Sequence, residues 1–429
     1  MNSVVRIEAV GSTSNRTFST PVENVHYHLK EGVLKDLFFF DPFVGKVYIS
    51  PNEFGMPANA LLEDRHVEEF RYIARNQGLG LVGHNELERL IKSTCMNFNR
   101  RDSLLEYFES LPEWDGVPRI SSFLASYCGA DNTEYHSVIS RKFMISGVAR
   151  GYATVDNPAK VDAVLVLEGK QGIGKTSLLA ALCPVNSWAR TINGNLEDKD
   201  TKIKLHSGVF MAEFSEFASI KKATANEYVK SFISETCDSF RPPYARNEVI
   251  HPRRNVFIGT INPSAHDGYL TDQTGNRRFW VAKVGDSIDL EGIRRDRDQI
   301  WAEAKFEYQQ GKKWWLEGTE ISLHNEEVAK RVVFNEYADL LQEYLSKHPD
   351  IIEISIDALM VEIFTESVRT SSHFSRIRKK VAAALSDAGF EKVHKNKGNV
   401  WVRPMSTIGF RPMGWKIEQK VDEDMDCPF

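Results

Sequence analysis

The sequence predicts an α/β protein built around a mostly parallel sheet, and three observations predict it. Between about residues 158 and 316, short apolar runs such as "AVLVLE", "GVFMAE" and "NVFIGTIN" alternate with helical stretches such as "SLLAAL" and "NEYVKSFISE". Strands alternating with helices are the pattern of units wound onto a parallel sheet. A glycine-rich turn, "GKQGIGKT", falls between the first of those strands and the helix that follows. Helical and hairpin-like segments lie on both sides. A central α/β domain is therefore flanked by an N-terminal α/β and helical region and a smaller C-terminal domain.

The whole chain sets bounds on this reading. Its 429 residues allow two or three domains, at about 150 residues each. A composition of 42% hydrophobic and 26% charged residues is ordinary for a soluble globular protein. No apolar run approaches the roughly 18 residues of a membrane span. The start, "MNSVVRIEAVGSTSNRTF", lacks the basic and apolar halves of a secretory signal. The five cysteines, at 95, 128, 183, 237 and 427, have no metal-ligand spacing and fit a reducing cytoplasm. With a net charge of -5, any nucleic-acid contact must come from local basic patches.

Taken in order, residues 1–100 mix strand-like pieces ("GKVYIS") with a helical pattern ("LLEDRHVEEFRYIARNQ") and carry no catalytic constellation. Residues 101–155 read as a helical linker or collar. Within it, "PEWDGVPR" is a tight turn in which Gly116 supplies the permissive backbone and Pro118 stops regular structure. Residues 156–316 are the α/β domain, and 325–404 a further helical and hairpin region. Residues 405–429 form a flexible polar tail, and no internal repeat is present.

The glycine-rich turn satisfies G-x-x-x-x-G-K-[ST] with Gly169, Gly174, Lys175 and Thr176. Val164 to Leu167 precede it as a buried strand, and "TSLLAALC" follows as a helix. Glycines let backbone N–H groups converge on phosphate oxygens at the positive end of the new helix. Gly169, Gly172, Gly174, Lys175, Thr176 and Ser177 thus form a candidate ATP cradle. Lys175 would reach the β- and γ-phosphates, and the Thr176 hydroxyl would hold Mg²⁺. The bland alternative is a turn with a solvated lysine, which the flanking strand and helix disfavour.

Hydrolysis needs more parts. Val209 to Ala212 read as a strand with Glu213 at its end and Glu216 one short turn on. One carboxylate would orient water on the metal, with Glu213 the metal candidate, and the other would polarise the attacking water. The residues do not say which does which, and two solvated glutamates would look the same. Val256 to Ile261 form another strand, ending in Asn262, which can position the lytic water or simply make a turn before Pro263. Arg277 and Arg278 lie between a turn and a strand in "LTDQTGNRRFWVA". Such a placement suits an arginine finger; a structural ion pair or a DNA-phosphate contact remains open for either residue.

Together, "SLPEWDGVPRI", "LVLEGKQGIGKTSLLAAL", "FMAEFSEF", "RPPYARNEVIHPRRNVFIGTIN", "TDQTGNRRFWVA" and "LEGIRRDRDQIWAEAKFEYQQGKKWWL" resemble the virulence-associated protein E family. These are phage- and genomic-island-encoded ATPases similar to superfamily 3 helicases. The resemblance covers roughly residues 105 to 316, with the motifs in the expected order. It implies an AAA+-like P-loop ATPase that assembles as a ring, expected to be a hexamer, and acts on DNA in replication of a mobile element. By position, Lys175 and Thr176 match the family's Walker A pair, Glu213 and Glu216 its acidic motif, Asn262 its sensor asparagine, and Arg277 and Arg278 its arginine pair. Glutamate in place of aspartate in the acidic motif also occurs in the family. Some relatives carry an upstream primase domain; residues 1–100 show no such motif, so primer synthesis is not expected.

In superfamily 3 helicases the interval between acidic motif and sensor strand holds a hairpin that grips single-stranded DNA. Here it concentrates Arg241, Tyr244, Arg246, Arg253 and Arg254, which suit phosphate contacts and base stacking. The alternative is that some of these arginines serve subunit interfaces. Farther on, "ISIDALMVEIF", "SSHFSRIRKKVAAALSDAGF" and "EKVHKNKGNVWVRP" read as helix, helix and β-wing. That is a winged-helix-like domain, with Arg376 and Lys379 among the outward positions toward duplex DNA. The same shape also serves as a lid or protein-binding module. The chain closes on "VDEDMDCPF", in which Asp424, Asp426, Pro428 and Phe429 resemble the tip of bacterial single-stranded-DNA-binding protein. The resemblance implies docking on host replication or repair proteins; a bare acidic tail is otherwise solvated. Two functions stay open: a ring ATPase that unwinds or translocates on DNA, and a nucleotide-switched origin-binding or helicase-loader protein without processive unwinding.

Overall fold

The computed structural model describes residues 18–192, 198–214, 223–241, 247–262, 276–331, 336–363, 374–395 and 398–403. Two compact units divide the chain, Met1–Val332 and Val333–Phe429.

The first unit opens with α1 (Pro21–Lys30), whose start is set by Thr20 capping the Glu23 amide and by proline at the first helical position. A hairpin of β1 (Phe38–Asp41) and β2 (Lys46–Ile49) follows, then α2 (Asp64–Asn76) and α3 (His84–Phe98). Their apolar faces meet in a core of their own around Leu29, Phe38, Phe70 and Ile91. The rings of Phe38 and Phe70 pack edge to face, 5.0 Å between centroids.

Next come α4 (Ser103–Ser110), α5 (Phe123–Cys128) and α6 (Glu134–Gly151). The turn ahead of α5 is pinned by a buried carboxylate: Glu303 accepts the Ile120 amide at 2.9 Å. Gly116 in that turn has φ +80°, which glycine adopts without strain. Helix α6 is buried along most of its length, and Gly147 lets it approach the Trp301 ring.

The central elements are β3 (Val164–Glu168), α7 (Lys175–Leu182), β4 (Ala189–Ile192), α8 (Lys199–Leu205), β5 (Met211–Phe214) and α9 (Ala223–Ser234). They continue with β6 (Cys237–Phe240), β7 (Val249–Pro252), β8 (Val256–Ile261), β9 (Phe279–Lys283), α10 (Leu290–Gln309) and α11 (Thr319–Ala329). Five strands make one parallel sheet in the order β4-β5-β8-β3-β9. The expected parallel sheet is therefore present, with β8 inserted between the strand that feeds the glycine turn and the acidic strand. Both faces are covered, which explains the unbroken apolar runs. On one face Leu165, Leu167, Ile258 and Trp280 pack with Leu178, Phe143 and Trp301. On the other, Val164, Val166, Phe257, Phe279 and Val281 pack with Phe232 and Leu205.

One boundary differs from the sequence reading. The acidic strand runs Met211–Phe214 rather than Val209–Ala212, so Glu213 sits inside it and is buried. Beyond Glu213 the strand continues to Phe214, which pairs with Gly259 of β8 and whose ring stacks on Phe257 at 5.1 Å.

The second unit comprises α12 (Glu336–Lys347), β10 (Glu353–Ile354), α13 (Ile356–Ile363), α14 (Phe374–Asp387), β11 (Glu391–Lys395) and β12 (Gly398–Val402). The strands form an antiparallel sheet in the order β10-β12-β11. Leu359, Met360, Val381, Ala384 and Leu385 make its core, with Phe374 and Ile377 partly buried beside them. Helix α12 and strand β10 complete the helix–helix–hairpin core and were not legible as separate elements.

A Cβ at Gly147 would lie 2.9 Å from the ring of the fully buried Trp301. Gly147→Ala should therefore lower stability by about 1–3 kcal/mol through overpacking, read as a reduced urea midpoint with unchanged slope.

Candidate nucleotide site and arginine turn

The loop between β3 and α7 has the backbone its glycines allow. Gly172 and Gly174 have φ of +83° and +99°, the left-handed region that side chains disfavour. Gly169 is hemmed in differently, since a Cβ there would stand 2.8 Å from Val284. Its amide donates to the Ile261 carbonyl at 3.1 Å, tying the loop to the end of β8. Thr176 and Ser177 are exposed in the first turn of α7, so the helix presents its positive end to solvent.

Lys175 is folded back over this loop. Its ammonium donates to the carbonyls of Gly169 and Lys170 at 2.6 Å each, and to Asn262 Oδ1 at 2.8 Å. Burial pushes the lysine pKa below its ordinary value, while the negative charge of Glu213 opposes that shift. The structure thus brings Lys175 and Asn262 into direct contact.

Glu213 is the most enclosed group of the site, with 1% of its surface exposed. One oxygen, Oε1, accepts from the Thr176 hydroxyl at 2.8 Å and from Thr260 Oγ1 at 2.9 Å. The other accepts from Thr191 Oγ1 at 2.9 Å. A buried carboxylate must be satisfied in this way or be very costly. Thr191 and Thr260 come from the strands flanking β5, and sequence reasoning missed both. Their signal was a threonine near the carboxyl end of each strand, "ARTI" and "GTIN".

Hydroxyl and carboxylate oxygens side by side are the hard donors Mg²⁺ accepts. Among the described residues, no group of three or more His, Cys, Asp or Glu is arranged to hold a metal alone. A cation here would share its shell with phosphate oxygens and water, as Mg²⁺ commonly does. Glu216 lies outside the described residues.

Asn276, Arg277 and Arg278 form one 3₁₀ turn leading into β9. The structure separates the two arginines. Arg277 is exposed, whereas Arg278 is half-buried and its Nε donates to Ser234 Oγ at 3.0 Å.

The hairpin of β6 and β7 pairs Cys237 with Pro252 and Phe240 with Val249. Arg241 is exposed just beyond β6, and Tyr244 and Arg246 lie outside the described residues. Two of the proposed DNA contacts are corrected. Arg253 is fully buried at the base of the hairpin, its Nε 2.6 Å from Asp238 and its Nη2 2.9 Å from Glu235. Its guanidinium also lies over the Phe232 ring at 4.1 Å. Arg254 is mostly buried, paired with Asp102 and donating to the Gly151 carbonyl at 2.6 Å. Both arginines hold the first unit together and face no solvent channel. The sequence could not separate them from Arg241 because charge alone does not report burial.

In the second unit, Lys379 is exposed on α14, while the side chain of Arg376 lies outside the described residues. So do Asp424, Asp426, Pro428 and Phe429.

The model of the virulence-associated protein E-like domain matches residues 108–333, more than half of the 429 residues. The chain belongs to that family. The VapE-like match encloses the phosphate loop, the acidic strand, the hairpin and the arginine turn. No curated protein matches the chain. Among solved structures, the apo A form of the NrS-1 C-terminal region is similar at 12% identity and a TM-score of 0.41, covering 87% of this chain and 98% of that one. SCCmec type IV Cch, described as an active helicase, is similar at 12% identity and a TM-score of 0.27, covering 82% and 68%. Among the described residues, no helix of this VapE-like chain is long and apolar enough to cross a membrane.

Lys175→Ala should weaken ATP binding about ten- to a hundredfold, the range for losing hydrogen bonds from a charged donor, measured by titration with a fluorescent ATP analogue. At the hairpin base, Arg253→Leu removes the guanidinium from the buried Asp238 and leaves it to His206 and Lys202, which should cost about 1.5–3 kcal/mol, the range for losing hydrogen bonds to a charged group, in thermal unfolding. Burial alone would raise the Asp238 pKa, but hydrogen bonds from Arg253 and His206 hold it well below the ordinary carboxylate range. The resulting stability is present above the unfolded-state pKa of about 3.9 and is lost as pH falls below it. Acid unfolding should show that limb in the wild type and a flatter one in Arg253→Leu.

Proposed function

We propose that this VapE-like chain is an ATP-hydrolysing, ring-forming DNA helicase or translocase serving replication of a phage or mobile element. The observation that carries the reading is the divided site. Lys175, Thr176, Glu213 and Asn262 converge on one phosphate loop, while Arg277 stands exposed on a separate turn beside β9. A pocket with a lysine, a hydroxyl, a carboxylate and an amide has the parts for binding and orienting a triphosphate. The exposed arginine has the placement of a finger offered to a neighbour. The strand order, with β8 between β3 and β5, suits an AAA+-like core.

In this mechanism an incoming triphosphate replaces the loop carbonyls as the partner of Lys175, whose charge then stabilises the β- and γ-phosphates. Mg²⁺, when bound with ATP, neutralises charge on the same oxygens, and Thr176 and Glu213 are the residues that would hold it. Asn262, released from Lys175, is free to orient water toward the γ-phosphate, and Glu216 is the candidate to polarise that water. The neighbour's Arg277 offsets charge in the transition state. Arg241, Tyr244 and Arg246 would meet single-stranded DNA at the hairpin, and the second unit with Arg376 and Lys379 would meet duplex DNA. The acidic tip ending in Phe429 would dock a host replication or repair protein.

DNA-stimulated ATP hydrolysis and fork unwinding, measured for wild type, Lys175→Ala and Arg277→Ala, test the reading. Each variant alone should lose about 10³-fold or more in turnover, and mixing the two should restore part of it. Mixed variants that stay inactive, or a monomer that hydrolyses ATP at the wild-type rate, would refute the shared site. Hydrolysis without unwinding would favour the loader function.

A further inference from the structure

Helix α11 touches both halves of the divided site. His324 on this helix is buried, with 1% of its surface exposed. Its Nε2 lies 3.3 Å from the main-chain oxygen of Asn276, and its Nδ1 lies 3.5 Å from the Tyr135 hydroxyl. A carbonyl oxygen only accepts, so Nε2 carries the proton; Nδ1 then accepts and the Tyr135 hydroxyl donates. Burial lowers the His324 pKa, which keeps the ring in this neutral form. The tyrosine and imidazole rings are also stacked, 6.0 Å between centroids. The carbonyl held by His324 belongs to the peptide bond joining Asn276 to Arg277. The Asn276 side chain is buried and makes no hydrogen bond among the described residues, so the turn is held here through its main chain.

The same helix is tied to the phosphate loop. Just past its end, Arg331 Nε donates to Glu168 at 2.6 Å and Nη1 donates to Glu327 Oε1 at 2.7 Å. Glu168 is the last residue of β3, next to Gly169, whose carbonyl accepts from Lys175. At the other end of α11, Glu320 pairs with the buried Lys142 of α6 at 3.0 Å. One rigid element therefore runs from the strand that feeds the subunit's own loop to the peptide that carries Arg277.

We propose that α11 positions the arginine turn against its own subunit's phosphate loop, with His324 at mid-helix and Arg331 just past the helix end as the positioning residues. The proposal rests on the reading that Arg277 completes a neighbour's site. In that setting, the finger a subunit offers is set by the same helix that braces the loop it fills.

The test is steady-state hydrolysis of MgATP with a single-stranded oligonucleotide, using full-length chains alone and mixed. His324→Ala should lower kcat about ten- to a hundredfold through misplacement of the finger and leave KM for ATP nearly unchanged. His324→Gln, whose amide can still donate to the Asn276 carbonyl, should recover much of the rate. Tyr135→Phe, a milder change that removes only the hydroxyl, should give a smaller loss. Mixing His324→Ala with Lys175→Ala should restore activity, because the first keeps its loop and the second its finger. Mixing His324→Ala with Arg277→Ala should not, because both lack a placed finger. Arg331→Gln should follow the same pattern at smaller amplitude; a wild-type rate there would remove the loop-side half of the proposal. The proposal is overturned if His324→Ala keeps the wild-type rate, loses ATP binding, or is not rescued by Lys175→Ala. Those results differ from failure of the shared-site reading, in which Arg277→Ala itself would hydrolyse ATP normally.

Discussion

A carboxylate buried between three threonine hydroxyls organises the centre of this molecule. Glu213 can sit inside a strand only because Thr176, Thr191 and Thr260 satisfy its oxygens. Those hydroxyls come from the helix after the phosphate loop and from both neighbouring strands. Their positions require the sheet order in which β8 and β4 flank β5. One desolvated charge thus ties the helix entry and two neighbouring strands to the chemistry of the site. Lys175, drawn to the loop carbonyls and to Asn262, closes the other side of the same pocket.

A second buried charge cluster shapes the hairpin. Asp238 is held by Arg253, His206 and Lys202, which join α8 to the base of β6 and β7. Desolvated pairs of this kind contribute little net stability against an apolar alternative, yet breaking one partner is costly. Their consequence here is geometric: the hairpin base is anchored to α8 and α9. The arginines that anchor it, the buried Arg253 and the mostly buried Arg254, are paired with carboxylates and so are unsuited to touching nucleic acid. Helix α11 plays a comparable mechanical part, joining the strand ahead of the loop to the arginine turn through Arg331 and His324.

Much of the architecture was legible before any coordinates. The strands Val164 to Leu167 and Val256 to Ile261 were readable because a two-sided buried strand must be apolar throughout, and a run of that length between turn residues has few other fates. The loop was readable because its glycines serve positive φ values that no other residue reaches cheaply. The start of the acidic strand was misplaced by two residues, since Val209 and Phe210 are as apolar as the strand itself. In the second unit, Val381, Ala384 and Leu385 recur at helical spacing, and the face they share is the buried one.

The sequence by itself determined the local devices: a phosphate loop, an acidic strand, an arginine pair and a helix–helix–hairpin module. Each depends on residues close together in the chain, where spacing and backbone preference suffice. Only the tertiary structure decided which charges face water. Arg241, Arg253 and Arg254 are alike in composition and neighbourhood, but one is exposed, one is fully buried and one is mostly buried. The partners that make the difference, Asp102, Glu235 and Asp238, are set by folding rather than by local pattern. The same holds for Thr191 beside Glu213 and for His324 beside Asn276: hydrogen bonds across long stretches of chain exist only once the sheet and its helices are assembled.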